Sequence, residues 1–219
     1  MTARTRRRWL AHCSLGVAAA ALTGAMPALA AVSAKRTILV VGDSLSAEYG
    51  LVRGSGWVAL LEQRLARENI GANVVNASIS GDTTAGGLAR LPTLLRDRKP
   101  DLVVLELGGN DALRGLPLEA TRANLLAMAR LAKAAGAKVV ILGLQLPPNY
   151  GRAYGDRFAA LFADVAKNEG AALVPFMLKG VADTPQPESM FQPDRIHPLA
   201  SAHPTILANV WPVLAPLLR

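Results

Sequence analysis

Thiol chemistry is all but missing from this chain. Its 219 residues contain one cysteine, Cys13, which falls near the amino terminus, well before the first strand-like run. The body of the chain therefore has no disulfide framework and no thiol nucleophile, and its fold rests on packing alone. Histidine is nearly as scarce: beyond His12 there are only His197 and His203. Two imidazoles are a poor supply for a zinc site, which would need two further ligands, so no metal is expected. A basic tract is also lacking. The net charge is +8, yet Arg90, Arg96, Arg98, Lys99, Arg130 and Lys133 are spread among acids and read as solvated helix faces. Nucleic-acid binding has no support, and the mild basic excess allows at most a weak contact with anionic membrane lipid.

No apolar run is long enough to span a bilayer. The first thirty residues have a different pattern. Arg4, Arg6, Arg7 and Arg8 form a basic start, residues 15–22 an alanine-rich apolar core, and Ala28-Leu29-Ala30 a pair of small residues where signal peptidase reads them. This is a secretory signal peptide. Cleavage after Ala30 would remove Cys13 and four arginines, half of the net charge of +8. It would leave residues 31–219 as one exported domain, periplasmic or secreted. Arg6-Arg7 after Thr5 hints at the twin-arginine route, but the general secretory route is the expectation. Cys13 stands too early to be a lipidation site.

No repeat, linker or low-complexity segment interrupts residues 35–219. Strand-like runs cover 37–41, 73–76, 102–107, 138–142 and 172–175. Amphipathic stretches lie between and after them, over 55–69, 84–96, 119–135, 152–168 and 200–217, with Gly136 placed to end the third in a left-handed cap. Pro204, Pro212 and Pro216 predict that the last helix is short or kinked. Five buried strands alternating with helices imply a parallel, doubly wound sheet with right-handed crossovers. The expected fold is α/β: a single-domain, flavodoxin-like three-layer sandwich with strand order 2-1-3-4-5.

In such sheets chemistry gathers at the carboxyl ends of the strands. The first strand ends in Gly42-Asp43-Ser44-Leu45-Ser46, which delivers Ser44 to that rim in a strand-to-helix turn. The second is followed by Ser78, Ser80, Gly81 and Asp82, and the third by Gly108-Gly109-Asn110-Asp111. Near the end of the chain stands Asp194-Arg195-Ile196-His197-Pro198. Serine hydrolysis needs a base, a carboxylate to orient it and donors for the oxyanion. Asp194 and His197, three residues apart, can share one face of a turn. Gly81 can bring a backbone N–H close to a ligand and Asn110 can offer its amide. Each motif alone also has an ordinary reading as a turn or a cap. His203 reads most simply as a surface or capping residue.

These segments resemble, in order and spacing, the four blocks of the SGNH hydrolases, the GDSL family. The likeness is strongest to the bacterial periplasmic thioesterase I / protease I / lysophospholipase group and its arylesterase relatives. The runs that carry it are Gly42 to Ala47, Val75 to Thr83, Gly87 to Pro92, Glu106 to Asp111, Leu113 to Gly115, Leu146-Pro147 with Asn149 to Gly151, and Ile196 to Pro198. The resemblance implies the SGNH hydrolase fold, with Ser44 as nucleophile and Asp194 and His197 completing a triad. It also implies an oxyanion hole from Ser44, Gly81 and Asn110, and no cofactor. Two departures, Glu48 for a small residue and Arg195 for a glycine, stand near the rim and bear on substrate preference.

The expected activity is that of an exported serine ester hydrolase acting through an acyl-enzyme on a small ester or thioester with an acyl or aryl group. Leu113 and Leu116 after the third strand, and Pro147 and Tyr150 after the fourth, are the candidate acyl groove. A monomer is expected. A carbohydrate O-acetylesterase of the same family is the nearer rival, disfavoured by the apolar loops and an aromatic content of 5%. A non-catalytic periplasmic lipid binder is the other, and it has no need of serine, histidine and aspartate together.

Overall fold

The computed structural model describes residues 35–218. The signal-peptide reading of residues 1–30, and Cys13 with it, lies outside them. Five strands form one parallel sheet in the order β2-β1-β3-β4-β5. They are β1 (Arg36–Gly42), β2 (Ala72–Asn76), β3 (Leu102–Glu106), β4 (Lys138–Leu142) and β5 (Ala172–Val174). The order reverses beside β1, so the crevice at the carboxyl ends of β1 and β3 is the switch point where such sheets hold ligands.

The strands are near-continuous β-branched and leucine runs because helices cover both faces of the sheet. Ile38, Leu39, Val40 and Val41 of β1 and Val103, Val104 and Leu105 of β3 have no exposure at all. On one side α1 (Trp57–Arg67) packs against α6 (His203–Leu214). On the other α2 (Thr84–Arg98), α4 (Leu118–Ala134) and α5 (Arg152–Glu169) lie side by side, and a five-residue α3 (Gly109–Leu113) follows β3. This is the three-layer sandwich with the expected strand order.

The element ends follow local chemistry. Thr83 caps α2, its hydroxyl accepting from the Gly86 N–H at 3.3 Å. Gly136, at φ +87, turns the chain after α4 as expected. The carboxyl-terminal stretch is divided: a 3₁₀ turn over Ala200–Ala202, α6, then a second 3₁₀ turn over Ala215–Leu218. Pro204 falls in the first turn of α6, where its missing N–H has no intrahelical partner to lose.

His203 departs from the surface reading. It is 2% exposed, and its Nδ1 accepts the backbone N–H of Trp57, the first residue of α1, at 3.0 Å. It is a cap, but for a helix remote in sequence, which is why no local pattern announces it. Since Nδ1 accepts, the neutral ring carries its hydrogen on Nε2. Burial pulls the imidazole below its ordinary value of 6.5, against a smaller opposite effect of Glu48. The unfolded chain takes up this proton as pH falls through 6.5 and the native fold resists it, so the stability contribution is complete above that range and lost below it. The thermal midpoint of the wild type should therefore drop more steeply between about pH 7 and pH 5 than that of His203→Asn, whose amide oxygen can accept the Trp57 N–H without titrating. Equal slopes would contradict this.

Candidate active site

Parallel strands bring the sequence-predicted polar residues to one rim. Ser44 follows β1 by two residues and His197 arrives from the segment between β5 and α6. The imidazole Nε2 lies 2.8 Å from Ser44 Oγ, and Nδ1 lies 2.7 Å from Asp194 Oδ2. The other carboxylate oxygen of Asp194 accepts the backbone N–H groups of Ile196 at 2.9 Å and His197 at 3.0 Å. Partial burial raises the Asp194 carboxyl, but the hydrogen bonds from the His197 ring, then from the His197 and Ile196 backbone, outweigh it and bring it to about 2. Asp194 is therefore anionic and faces Nδ1, and Nε2 faces the Ser44 hydroxyl.

Among the described residues, the backbone N–H groups of Ser44 and Gly81 have no hydrogen-bond partner. Asn110 approaches from the first turn of α3, and both of its amide hydrogens are engaged. Nδ2 donates to Asp43 Oδ2 and to the Asp82 carbonyl, each at 2.9 Å. Beside it, Asp111 is 2% exposed and holds the start of α2, accepting the Thr84 N–H at 2.9 Å and the Thr84 hydroxyl at 2.5 Å. A carboxylate there also complements the helix dipole.

Under the Ser44 turn lies a polar cluster that inspection of the sequence missed. Glu106, the last residue of β3, is completely buried. Its Oε2 accepts the Asp43 N–H at 3.2 Å and the Ser46 hydroxyl at 2.7 Å, so it grips the residues on both sides of Ser44. Trp57 Nε1 donates to Ser46 Oγ at 3.2 Å. Burial, and secondarily the nearby Asp43 charge, hold the Glu106 carboxyl well above its usual range. Burial also raises Asp43 to about 6, against hydrogen bonds from Leu45 and Asn110. The usable signal was the one acid in the apolar run 102–107.

Glu48 and Arg90 are engaged differently from expectation. The Glu48 carboxylate accepts the N–H groups of Gly54 at 3.0 Å and Gly56 at 2.7 Å and ties together the loop between β1 and α1. Arg195 has φ +59, a conformation glycine adopts more easily, and is exposed between Asp194 and His197. Arg90, read as part of a solvated face, turns inward, binding Asp82 Oδ2 at 2.9 Å and the Ala77 carbonyl. Leu113 and Leu116 stand exposed after β3, while Pro147 is exposed and Tyr150 half-buried after β4. Tyr49, which no motif singled out, lays its ring against His197 with centroids 4.3 Å apart.

A family model described as the GDSL-like Lipase/Acylhydrolase family matches residues 40–203, a span that contains Ser44, Gly81, Asn110, Asp194 and His197. The chain belongs to that family. This GDSL hydrolase is 56% identical over 186 residues to Esterase TesA of Pseudomonas aeruginosa, covering 85% of this chain and 91% of that protein. It is 41% identical over 187 residues to Thioesterase 1/protease 1/lysophospholipase L1 of Escherichia coli K12, covering 85% of this chain and 87% of that one. A crystal structure of TesA superimposes with a TM-score of 0.80 at 56% identity, covering 83% of this chain and 99% of the other.

A neutral Glu106 accepts on Oε2 and carries its proton on Oε1. Glutamine reproduces that pattern, so Glu106→Gln should keep turnover of p-nitrophenyl butyrate within about threefold of wild type. Glu106→Leu should lose about 1–3 kcal/mol of stability by orphaning the Asp43 N–H and the Ser46 hydroxyl. A hundredfold loss in the glutamine variant would show instead that the anion is required.

Proposed function

We propose that this hydrolase is an exported serine esterase in which Ser44 is the nucleophile, His197 the general base and then acid, and Asp194 its orienting anion. One observation carries the reading: the unbroken relay from Asp194 through His197 to Ser44, with links of 2.7 and 2.8 Å. The imidazole takes the Ser44 proton as Oγ attacks the ester carbonyl and returns it to the departing alcohol or thiol. Water repeats the cycle on the acyl-enzyme. The unpartnered N–H groups of Ser44 and Gly81 receive the oxyanion with Asn110, which must surrender one of its present hydrogen bonds to do so. Relay and donors come from a single chain, so the reading needs no second copy.

The substrate class is an acyl or aryl ester or thioester. Ile79, Leu113, Leu116 and Ile196, on loops that meet at this rim, all expose large apolar side chains. This favours an acyl or aryl group over an acetylated sugar. Arg114, which reaches the Gly81 carbonyl at 2.7 Å, and Arg195 place cations beside these side chains. That pairing suits a weak contact with anionic lipid. Export through residues 1–30 points to a substrate outside the cytosol.

A fluorophosphonate probe should label the wild type and fail to label Ser44→Ala. Asn110→Ala should fold normally and lose about 10²–10³ in kcat, the usual effect of removing one oxyanion donor. Normal turnover by Asn110→Ala would remove it from the mechanism, and labelling of Ser44→Ala would reject the nucleophile.

A further inference from the structure

The base and its carboxylate do not ride on the sheet. They sit on the segment from Met190 to Leu199, which closes on itself. Leu199 N–H donates to the Met190 carbonyl at 2.8 Å, Gln192 N–H to the His197 carbonyl at 2.8 Å and Arg195 N–H to the Gln192 carbonyl at 2.9 Å, and Phe191 bridges Pro198. These bonds set the shape of the segment but not its distance from Ser44. A hydrogen bond of 2.8 Å between side chains 153 residues apart needs that distance held by something else.

The side chain of Gln192 spans the gap. Its Nε2 donates to the Tyr49 carbonyl at 2.9 Å and to the Pro198 carbonyl at 3.3 Å, joining the nucleophile's loop to the base's loop. Tyr49 is itself bound back to the nucleophile, its N–H donating to the Ser44 carbonyl at 3.4 Å, and its ring lies against the imidazole. The backbone next to it is bare. Gly50 has φ +70, and a Cβ there would stand 2.2 Å from Gln192 Oε1. Both partners of Nε2 are carbonyls, so the position calls for an amide. A carboxylate of the same shape would meet two acceptors and donate to neither.

We propose that Gln192 is a positioning residue that latches the His197 segment to the loop carrying Ser44, with the Tyr49 ring as the second arm of the clasp. The latch acts on the chemical step, since it fixes the imidazole relative to the serine hydroxyl while leaving the apolar rim untouched. It rests on the triad reading above, and the test separates the two.

The experiment is steady-state kinetics on p-nitrophenyl butyrate, with thermal midpoints, for the full chain and for Gln192→Ala, Gln192→Glu, Gly50→Ala, the double variant Gly50→Ala with Gln192→Ala, and His197→Ala. Gln192→Ala and Gln192→Glu should each lose about tenfold or more in kcat with little change in KM, because misplaced catalytic groups lower turnover rather than binding. The double variant should be no worse than the poorer single one, because both changes break one contact. Gln192→Glu keeps the test open should either alanine variant fold poorly. Wild-type kcat in both Gln192 variants beside an inactive His197→Ala would overturn the latch alone. So would losses that multiply in the double variant, or that follow the thermal midpoint rather than kcat. An active His197→Ala would overturn the triad reading beneath it.

Discussion

The grip of Glu106 on the turn after β1 is the constraint from which the rest of the site follows. A nucleophile on a turn would drift with the turn. Here the backbone N–H before Ser44 and the hydroxyl two residues after it both end on one carboxyl oxygen fixed at the end of β3. The strands β1 and β3 are neighbours in register, Gly42 opposite Glu106. The anchoring group is thus delivered by the same backbone ladder that delivers Ser44. The Trp57 indole closes the cluster from α1, and His203 caps that helix from α6, so the helical layer on this side is tied to the same point. Glu106 Oε1 is buried without a hydrogen-bond partner, and burial eases the charge problem by holding the carboxyl well above its usual range.

That arrangement separates the acids by role through environment alone. Asp194 sits at the surface with three hydrogen-bond donors and is driven to about 2. Asp43 is buried, with fewer donors and the Asp82 charge nearby, and is raised to about 6. Glu106, buried more completely, is pushed well above the usual carboxylate range. Groups pushed apart in this way tend to mark acid, base and scaffold positions in a catalytic centre. By this criterion Asp194 alone is suited to stabilise an imidazolium. Asp43 and Glu106 are suited to hold backbone and amide groups in place.

Much of this was legible in the sequence. The alternation of strand and helix follows from hydrophobic period, and the strand order is the flavodoxin-like one expected of five parallel strands. Ser44, Asp194 and His197 stood out because each interrupts or closes a segment in a way a plain connector would not. What could not be read depends on distance in space rather than along the chain. Gln192 and Tyr49 carry no motif, and their meeting requires two loops from opposite ends of the chain. His203 caps a helix that begins 146 residues earlier. Glu48 and Arg90 looked like rim and surface charges because a sequence does not say which way a long side chain turns; Glu48 turns to backbone N–H groups of its own loop, and Arg90, on α2, to the Asp82 carboxylate and the Ala77 carbonyl.

The engagement of Asn110 bears on how such a site distinguishes transition state from substrate. In the resting protein its amide hydrogens go to a carboxylate and a carbonyl, so a neutral ester carbonyl arriving at the rim offers little that the Asp82 carbonyl does not already supply. An oxyanion is different. A hydrogen bond to a full negative charge is roughly twice as strong as one to a neutral acceptor, so only the charged species can draw the hydrogen away from Asp82. Under the proposed mechanism the unpartnered N–H groups of Ser44 and Gly81 would serve substrate and oxyanion alike, whereas the amide of Asn110 would engage once charge has formed. An interaction gained only at that stage raises turnover without tightening substrate binding. The resting hydrogen bonds also hold the amide in place, so the exchange needs a shift of a hydrogen bond and no reorganisation of the turn.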